Sequence, residues 1–361
     1  MSSENNKLIE LFGSNEFVGL RKIIISSAGT SMRNNLKQYV GPYDVLYTEV
    51  LPNPSLKQLI EFFKLVKLKE KDIVIGIGGG SVIDFSKLVA LFACTPINEI
   101  KSIIESARYD SIQRALKLVA IPTLFGSGAE QTPFAVCYIG NKKYSVANDW
   151  ILPLRVEYIP EINLSAPTST KLANVLDCFC QAAESLTARN ANSLSVEYAE
   201  RTLRLLVPIA KEYIEGNSID LAAKMAEASS LCGKAISISK TTGPHAMSYF
   251  LTANLGWKHG IAVGFVFTFF LEKYKPSITD NVDIQRLFNV LDDILLSDQI
   301  IQYFASLGLN MRKLVSHVNS DLDFSNWVSS VNLERLGNGP DINMSWLNEK
   351  DLMNFYKSLV K

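Results

Sequence analysis

Only three histidines occur in the chain, and two of them lie close together, each beside glycine or proline. They are His245, in Gly243-Pro-His-Ala-Met-Ser-Tyr249, and His259, in Gly256-Trp-Lys-His-Gly260. A turn between two helices would bring these imidazoles together, and imidazole is the commonest ligand of divalent transition metals. A ligand of another type stands upstream at Asp177, in Asn174-Val-Leu-Asp-Cys-Phe-Cys-Gln181. Asp177 and Gln181 are related as i and i+4, so they share one helical face. An ionised carboxylate in so apolar a helix needs a partner, and a cation is a good one. The plainer alternatives stay open: a core histidine with satisfied hydrogen bonds, and an aspartate in an interhelical salt bridge.

The second chemical signal is Gly76-Ile-Gly-Gly-Gly-Ser-Val-Ile-Asp-Phe-Ser-Lys87. An apolar strand runs into Gly78, Gly79, Gly80 and Ser81, and a helix then begins. Without Cβ atoms the backbone amides can approach a phosphate, and the helix N-terminus adds partial positive charge. The spacing is neither G-x-G-x-x-G nor a Walker A loop. It points to phosphate or pyrophosphate binding, with a tight strand-to-helix turn as the plain alternative. Asp84 and Lys87, three apart, read as an ion pair on that helix, and Lys87 is also placed to face a ligand cleft.

Positioning these groups requires two kinds of architecture. Short β-rich runs at Lys22–Ser27, Asp44–Thr48, Asp72–Ile77 and Leu118–Pro122 alternate with helical runs, one beginning at Pro54-Ser55. Strand alternating with helix predicts an α/β domain, a Rossmann-like doubly wound parallel sheet, over residues 1–163. From 164 to 361 the periodicity turns helical: Ser165 to Leu186, Leu194 to Ile214, Ile219 to Ser239, His245 to Ala253, Gly260 to Tyr274 and Val282 to Leu296. This half is predicted all-α, with no internal repeat.

The balance of 36 basic against 36 acidic residues excludes nucleic acid or an anionic membrane as the main partner, since both reward a basic excess. A 47% hydrophobic chain can bury a large core. Five scattered cysteines, an odd number, argue against a disulfide framework. Residues 1–11 lack an apolar signal core, and the longest apolar run, from Gly260 to Leu271, is too short to span a bilayer. The expected compartment is therefore the reducing cytoplasm.

With these blocks in order, the chain resembles the iron-containing (group III) alcohol dehydrogenase family over nearly its whole length. The family's Gly-Gly-Gly-Ser-x-x-Asp-x-x-Lys stands as Gly78 to Lys87, preceded by Asn53-Pro54. Its next block reads Pro122-Thr-Leu-Phe-Gly-Ser-Gly-Ala-Glu130. Its Asp-x-x-x-His metal pair falls on Asp177 and Gln181, and its other two metal histidines on His245 and His259. Within the family the chain is similar to the phosphonoacetaldehyde reductase branch, through Thr132-Pro-Phe-Ala-Val136, Lys143-Tyr-Ser-Val-Ala147, His245-Ala-Met-Ser-Tyr-Phe-Leu-Thr-Ala253 and Val331-Asn-Leu-Glu-Arg-Leu-Gly-Asn338.

The resemblance implies a dehydroquinate synthase-like architecture, with a nucleotide-binding domain followed by a helical metal-binding and catalytic domain. It implies NADP or NAD held by Gly78, Gly79, Gly80, Ser81, Asp84, Thr123, Ser127 and Lys143, and iron or zinc held by Asp177, Gln181, His245 and His259. Beside His245, Tyr249 or a water is implied as the proton donor, with a packing role for Tyr249 as the plainer alternative. The implied reaction is reduction of a small polar aldehyde, phosphonoacetaldehyde to 2-hydroxyethylphosphonate, by an enzyme that forms a homodimer. Gln181 departs from the family: an amide oxygen is a weaker ligand than imidazole, which would leave the metal loosely held unless Cys180 or water substitutes. Two alternatives follow, an impaired homologue that binds nucleotide without turnover and a lyase of the sugar-phosphate cyclase type. Where related folds place a carboxylate on the adenosine ribose, Ser26-Ser27-Ala28-Gly29 offers none, which favours NADP, with Arg33 or Lys22 to meet the 2′-phosphate.

Overall fold

The computed structural model describes residues 3–14, 17–112, 114–140, 142–295, 299–316, 324–342 and 347–360. Contacts divide the chain into two compact units, Met1–Ser165 and Ala166–Lys361.

The first unit carries strands β1 (Lys22–Ser26), β2 (Val45–Tyr47), β3 (Ile73–Gly78), β4 (Lys117–Pro122), β5 (Phe134–Ile139), β6 (Lys142–Ala147) and β7 (Arg155–Val156). Its helices are α1 (Ser3–Phe12), α2 (Ala28–Arg33), α3 (Leu56–Leu65), α4 (Gly80–Phe92), α5 (Ile97–Ser106) and α6 (Pro160–Asn163). Five parallel strands lie in the order β2-β1-β3-β4-β7. Alternate side chains on a strand point to opposite faces, and here both faces are covered. Ile23, Ile25, Val74 and Leu118 pack with Leu59, Phe62, Phe85, Leu88 and Ile100. Ile24, Ile75, Ile77, Val119 and Ile121 pack with Leu8, Leu11, Leu36, Ile159 and Ile162. Burial on both sides explains why these strands read as unbroken apolar runs. The doubly wound sheet expected from the sequence is therefore present.

The sequence reading has no strand between Pro122 and Leu164, where β5 and β6 form an antiparallel hairpin and β7 joins the sheet edge. The overlooked signal is Gly140, at φ 58, standing between two runs rich in aromatic and β-branched residues. This hairpin also corrects the expectation for Lys87, which is wholly buried and faces no cleft. Its Nζ donates to the carbonyls of Ala129 (2.5 Å), Thr132 (2.6 Å) and Phe134 (2.8 Å) and to Thr132 Oγ1 (3.2 Å). Burial lowers its pKa to about 8, against the opposing pull of Asp84 and Glu130. Asp84, for its part, accepts from the Val136 amide of β5 at 3.2 Å. Both side chains thus fasten α4 to the segment that leads into the hairpin.

The second unit is helical throughout its described residues: α7 (Thr168–Thr187), α8 (Ser193–Glu215), α9 (Ile219–Ser239), α10 (Gly243–Leu255), α11 (His259–Tyr274), α12 (Val282–Ile294), α13 (Ile300–Leu307), α14 (Met311–Ser316), α15 (Phe324–Ser329), α16 (Leu333–Gly337) and α17 (Glu349–Val360). Its longer helices lie where periodicity predicts them. Phe179 meets Phe267 and Phe304 edge to face, and the latter two are tilted at 40°, which ties α7, α11 and α13 together. Among the described residues no single helix is long and apolar enough to cross a membrane. All five cysteines are free thiols; Cys94, just past α4, is exposed and the other four are buried.

Candidate metal centre

A polar stripe runs along one face of α7 at Asp177, Gln181 and Glu184, spaced i, i+4, i+7, and all three are buried. Facing it are the first turns of two other helices. His245 stands in the first turn of α10, where Pro244 suits the helix start. His259 is the first residue of α11. Between them Gly256, at φ 66, ends α10 in the left-handed conformation and turns the chain back. Gly260 then permits close approach: a Cβ there would run into the Ala173 carbonyl of α7 and lie 3.1 Å from Asp177 Cβ. The two imidazoles reach the α7 carboxylate because one residue has no side chain.

His245 Nε2 lies 3.2 Å from Asp177 Oδ1, and His259 Nε2 lies 3.9 Å from the same oxygen. One ligand atom from each of the three residues lies within 4.8 Å of the others. The imidazole rings stand 5.3 Å apart at 70°. Asp177 and His245 are buried, whereas 36% of the His259 side chain is exposed, so the group opens on that side.

Behind it stands a residue that the sequence reading missed. Glu184 Oε1 lies 2.5 Å from His245 Nδ1, while Oε2 accepts from the Thr242 amide (2.6 Å) and hydroxyl (2.9 Å). This carboxylate holds the proton on Nδ1, so Nε2 is the ring nitrogen that faces Asp177 and that would ligate a cation after losing its own proton. Burial pulls the His245 pKa down, but Glu184 and Asp177 outweigh it and raise it to about 10. With both imidazoles neutral, a divalent cation would balance the two buried carboxylates, so donor set and charge both fit a metal. Spacing alone offered the clue to Glu184, as the third member of the α7 stripe.

Gln181 is turned differently from a ligand. Its Nε2 donates to Asp177 Oδ1 at 3.2 Å, and its Oε1 accepts from the Cys232 thiol at 3.2 Å. Cys180 is not in the donor group, and burial, followed by Glu184 and Asp177, pushes its thiol well above the usual range. A thiol so disposed resists forming the thiolate that zinc takes. Tyr249, one turn beyond His245, stacks its ring on His259 at 5.8 Å and 17°.

The expected nucleotide residues fall in the first unit. Gly78, Gly79, Gly80 and Ser81 form the passage from β3 into α4, where Gly79 is the N-cap and no side chain caps the helix. Thr123 and Ser127 follow β4, and the Thr123 amide donates to the Gly78 carbonyl at 3.0 Å. A Cβ on Gly79 would meet Leu124 at 2.9 Å, and one on Gly80 would meet Ser127 Oγ at 3.1 Å, so the two turns are closely packed. Asp84 points to the hairpin, where the positive charge of Lys143 acts on it.

Two family models match the chain: "Iron-containing alcohol dehydrogenase" over residues 4–156 and "Fe-containing alcohol dehydrogenase family, C-terminal" over residues 171–315. Long-chain-alcohol dehydrogenase 1 of Geobacillus thermodenitrificans is 26% identical, over 68% of this chain and 62% of its own length. The phosphonoacetaldehyde reductase of Streptomyces viridochromogenes is 29% identical, over 54% and 51% respectively. The chain thus spans about half to three fifths of the length of these curated relatives. The solved sulfoacetaldehyde reductase from Bifidobacterium kashiwanohense, in complex with NAD+, shares the fold at a TM-score of 0.83, with 22% identity over 98% of this chain and 95% of that one.

Proposed function

Because this chain belongs to the iron-containing alcohol dehydrogenase family, we propose that it is an NAD(P)-dependent, metal-assisted aldehyde reductase acting on small polar aldehydes, with phosphonoacetaldehyde to 2-hydroxyethylphosphonate as the favoured reaction. The observation that carries this reading is the convergence of Asp177, His245 and His259, backed by Glu184. These three residues would hold divalent iron or zinc, and Gln181 would join them once its amide turns over. Such a cation supplies Lewis acidity toward a carbonyl oxygen, and the nucleotide supplies hydride.

The chain's own part is positioning and proton transfer. Glu184 retains the Nδ1 proton and so leaves Nε2 of His245 to lose its own proton and ligate. Asp177 contributes the charge that fixes the cation. Tyr249, stacked on His259, is the group we assign to deliver a proton to the developing alkoxide. The backbone amides at the start of α4 would take the pyrophosphate, with Thr123 and Ser127 beside them and with Asp84 and Lys143 bounding the same site. We favour NADP(H) over NAD(H) on the Arg33 guanidinium, which folds back over Gly29 within 3.1 Å of where a Cβ would stand. Ser26 to Gly29 carry no carboxylate, but Glu49 forms a β-bridge with Ser27 and would serve NAD(H). The likeness to a phosphonoacetaldehyde reductase supports the substrate class. Five free thiols support the cytoplasm as the compartment.

One observation favours a second reading, a homologue with weakened metal affinity: Gln181 offers Asp177 an N–H where a ligand oxygen is wanted. Metal analysis of the purified protein, followed by NAD(P)H oxidation against a panel of aldehydes with iron or zinc restored, separates the two. We expect one cation per chain and turnover of polar aldehydes. Nucleotide binding without metal or turnover would replace our reading with the second, and activity confined to unfunctionalised alkanals would remove the phosphonate.

A further inference from the structure

We propose that Arg335 is the residue that selects substrates carrying an oxyanion, such as a phosphonate or sulfonate on the carbon next to the aldehyde. The proposal rests on the reductase reading and names the substrate feature that the same site recognises.

Arg335 lies on the short helix α16, whose first turn is capped by Asn332 Oδ1 accepting the Arg335 amide at 2.9 Å. Its guanidinium sits over the Tyr249 ring, 5.7 Å from the centroid. That same ring stacks on His259 at 5.8 Å. Arginine, phenol and ligand imidazole therefore form one continuous row. A second route joins Arg335 to the site from another side. Its Nη1 donates to Thr241 Oγ1, and the next residue, Thr242, gives both its amide and its hydroxyl to Glu184, which holds His245.

The connection between α9 and α10 is itself under strain at this place. Lys240 has φ 59, a left-handed conformation costly for a residue with a Cβ. Asn338 holds it in place, donating to the carbonyls on either side, Ser239 (2.8 Å) and Thr241 (3.2 Å). The strained turn and the row of rings fix where the guanidinium stands.

Charge supplies the chemistry. Among the described residues no carboxylate lies within ion-pair distance of Arg335, and its fork of five donors has one acceptor, Thr241 Oγ1. The planar fork matches two oxygens of a phosphonate or sulfonate, and the guanidinium stands over the Tyr249 ring with the Thr241 hydroxyl as acceptor. In a two-carbon phosphonate, four bonds of roughly 1.5 Å separate the carbonyl oxygen from an oxyanion oxygen. Extended, those bonds span about 5 Å through space, which reaches toward the Tyr249 ring that the guanidinium overlies at 5.7 Å. A substrate carbonyl at the cation would thus bring its oxyanion alongside the phenol, toward the guanidinium. The neighbouring Lys240 is not an equal candidate, since its ammonium is half exposed and lies 3.9 Å from Glu334.

The test compares wild type, Arg335→Met and Arg335→Lys, each loaded with zinc. For phosphonoacetaldehyde against propanal, the ratio of kcat/KM should fall about 100-fold in Arg335→Met. Arg335→Lys should recover part of that loss. Calorimetry with ethylphosphonate, which needs no turnover, should show binding to wild type that weakens by a similar factor in Arg335→Met. If the two aldehydes lose efficiency in parallel, Arg335 is structural and the proposal is overturned. It is equally overturned if the KM for nucleotide rises while the aldehyde ratio holds, because the oxyanion met by Arg335 would then belong to the nucleotide. Ethylphosphonate binding that depends on Arg335, in a protein that reduces no aldehyde, would sustain the anion site while defeating the reductase reading.

Discussion

Glu184 touches His245 with one carboxylate oxygen and both donors of Thr242 with the other. Replacing it by glutamine keeps the size but removes the charge that holds the Nδ1 proton. Cation affinity should fall about 10- to 100-fold in Glu184→Gln, read by titration against a coloured chelator. An unchanged affinity would deny Glu184 its positioning role. The same imidazole gives a pH dependence with a definite sign. Without a cation His245 keeps a second proton up to about pH 10, and Nε2 must lose it before it can ligate. Affinity should therefore climb about tenfold per pH unit from neutrality and level off near 10. Calorimetry in buffers of differing ionisation enthalpy should count one proton released at neutral pH, and no release would contradict the geometry. Gln181→His supplies a stronger donor on the same face of α7 and should raise affinity by at least about tenfold. At this scale His245 and His259 were legible because histidines are rare in this chain and both stand beside Gly or Pro, and Asp177 because a carboxylate in so apolar a helix calls for a partner. The orientation of the Gln181 amide was not legible, because its partner Cys232 lies 51 residues away on another helix.

Helix α11 can start against α7 only while residue 260 lacks a side chain. In Gly260→Ala the helix start must back away from the Ala173 carbonyl and carry His259 with it. We expect a stability loss of about 1–3 kcal/mol in urea titration and a larger proportional loss of cation affinity. Wild-type affinity in that variant would show the approach to be dispensable. Helix α4 presents the opposite case, a long side chain on which a loop depends. Lys87→Met would remove the ammonium from the carbonyls of Ala129, Thr132 and Phe134, of which Ala129 keeps the Thr132 amide and hydroxyl as donors, at a cost of about 1–3 kcal/mol. Its loss should also loosen the turn at Ser127 that packs on Gly80, raising the KM for nucleotide. Sequence periodicity located β1 to β4 and the long helices well, since burial on both faces or on one stripe imprints a local pattern. It missed the hairpin and misread Lys87, because their partners are joined by contacts that no local spacing records.

At the level of the whole chain, each unit holds its own half of the proposed chemistry, and each should respond to its own ligand. Hydrogen exchange offers a direct measure. NADP(H) should slow exchange at residues 79–82 and 123–127, and zinc should slow it at the first turns of α10 and α11. Zinc at a hundred times its dissociation constant should add about 2.7 kcal/mol of stability. Protection by zinc that avoided both first turns would place the cation elsewhere. The division into a sheet domain and a helical domain was legible because the hydrophobic period changes near residue 164. The helices after residue 300 were not: α13 to α16 are too short to show a period, and the sequence reading simply missed the twelve-residue α17.

The distribution of sulfur has a practical consequence. Four of the five thiols are sealed in the interior, and burial raises Cys137 to about 12. A maleimide dye added to the folded protein should therefore attach to Cys94 alone, and the other four should react only after denaturation. Cys94 follows the far end of the helix whose opening turn is proposed to meet the nucleotide, roughly 20 Å away at 1.5 Å per residue. A single dye there becomes a built-in reporter, able to register coenzyme arrival by energy transfer from its reduced, fluorescent ring, without any cysteine having to be engineered in or out.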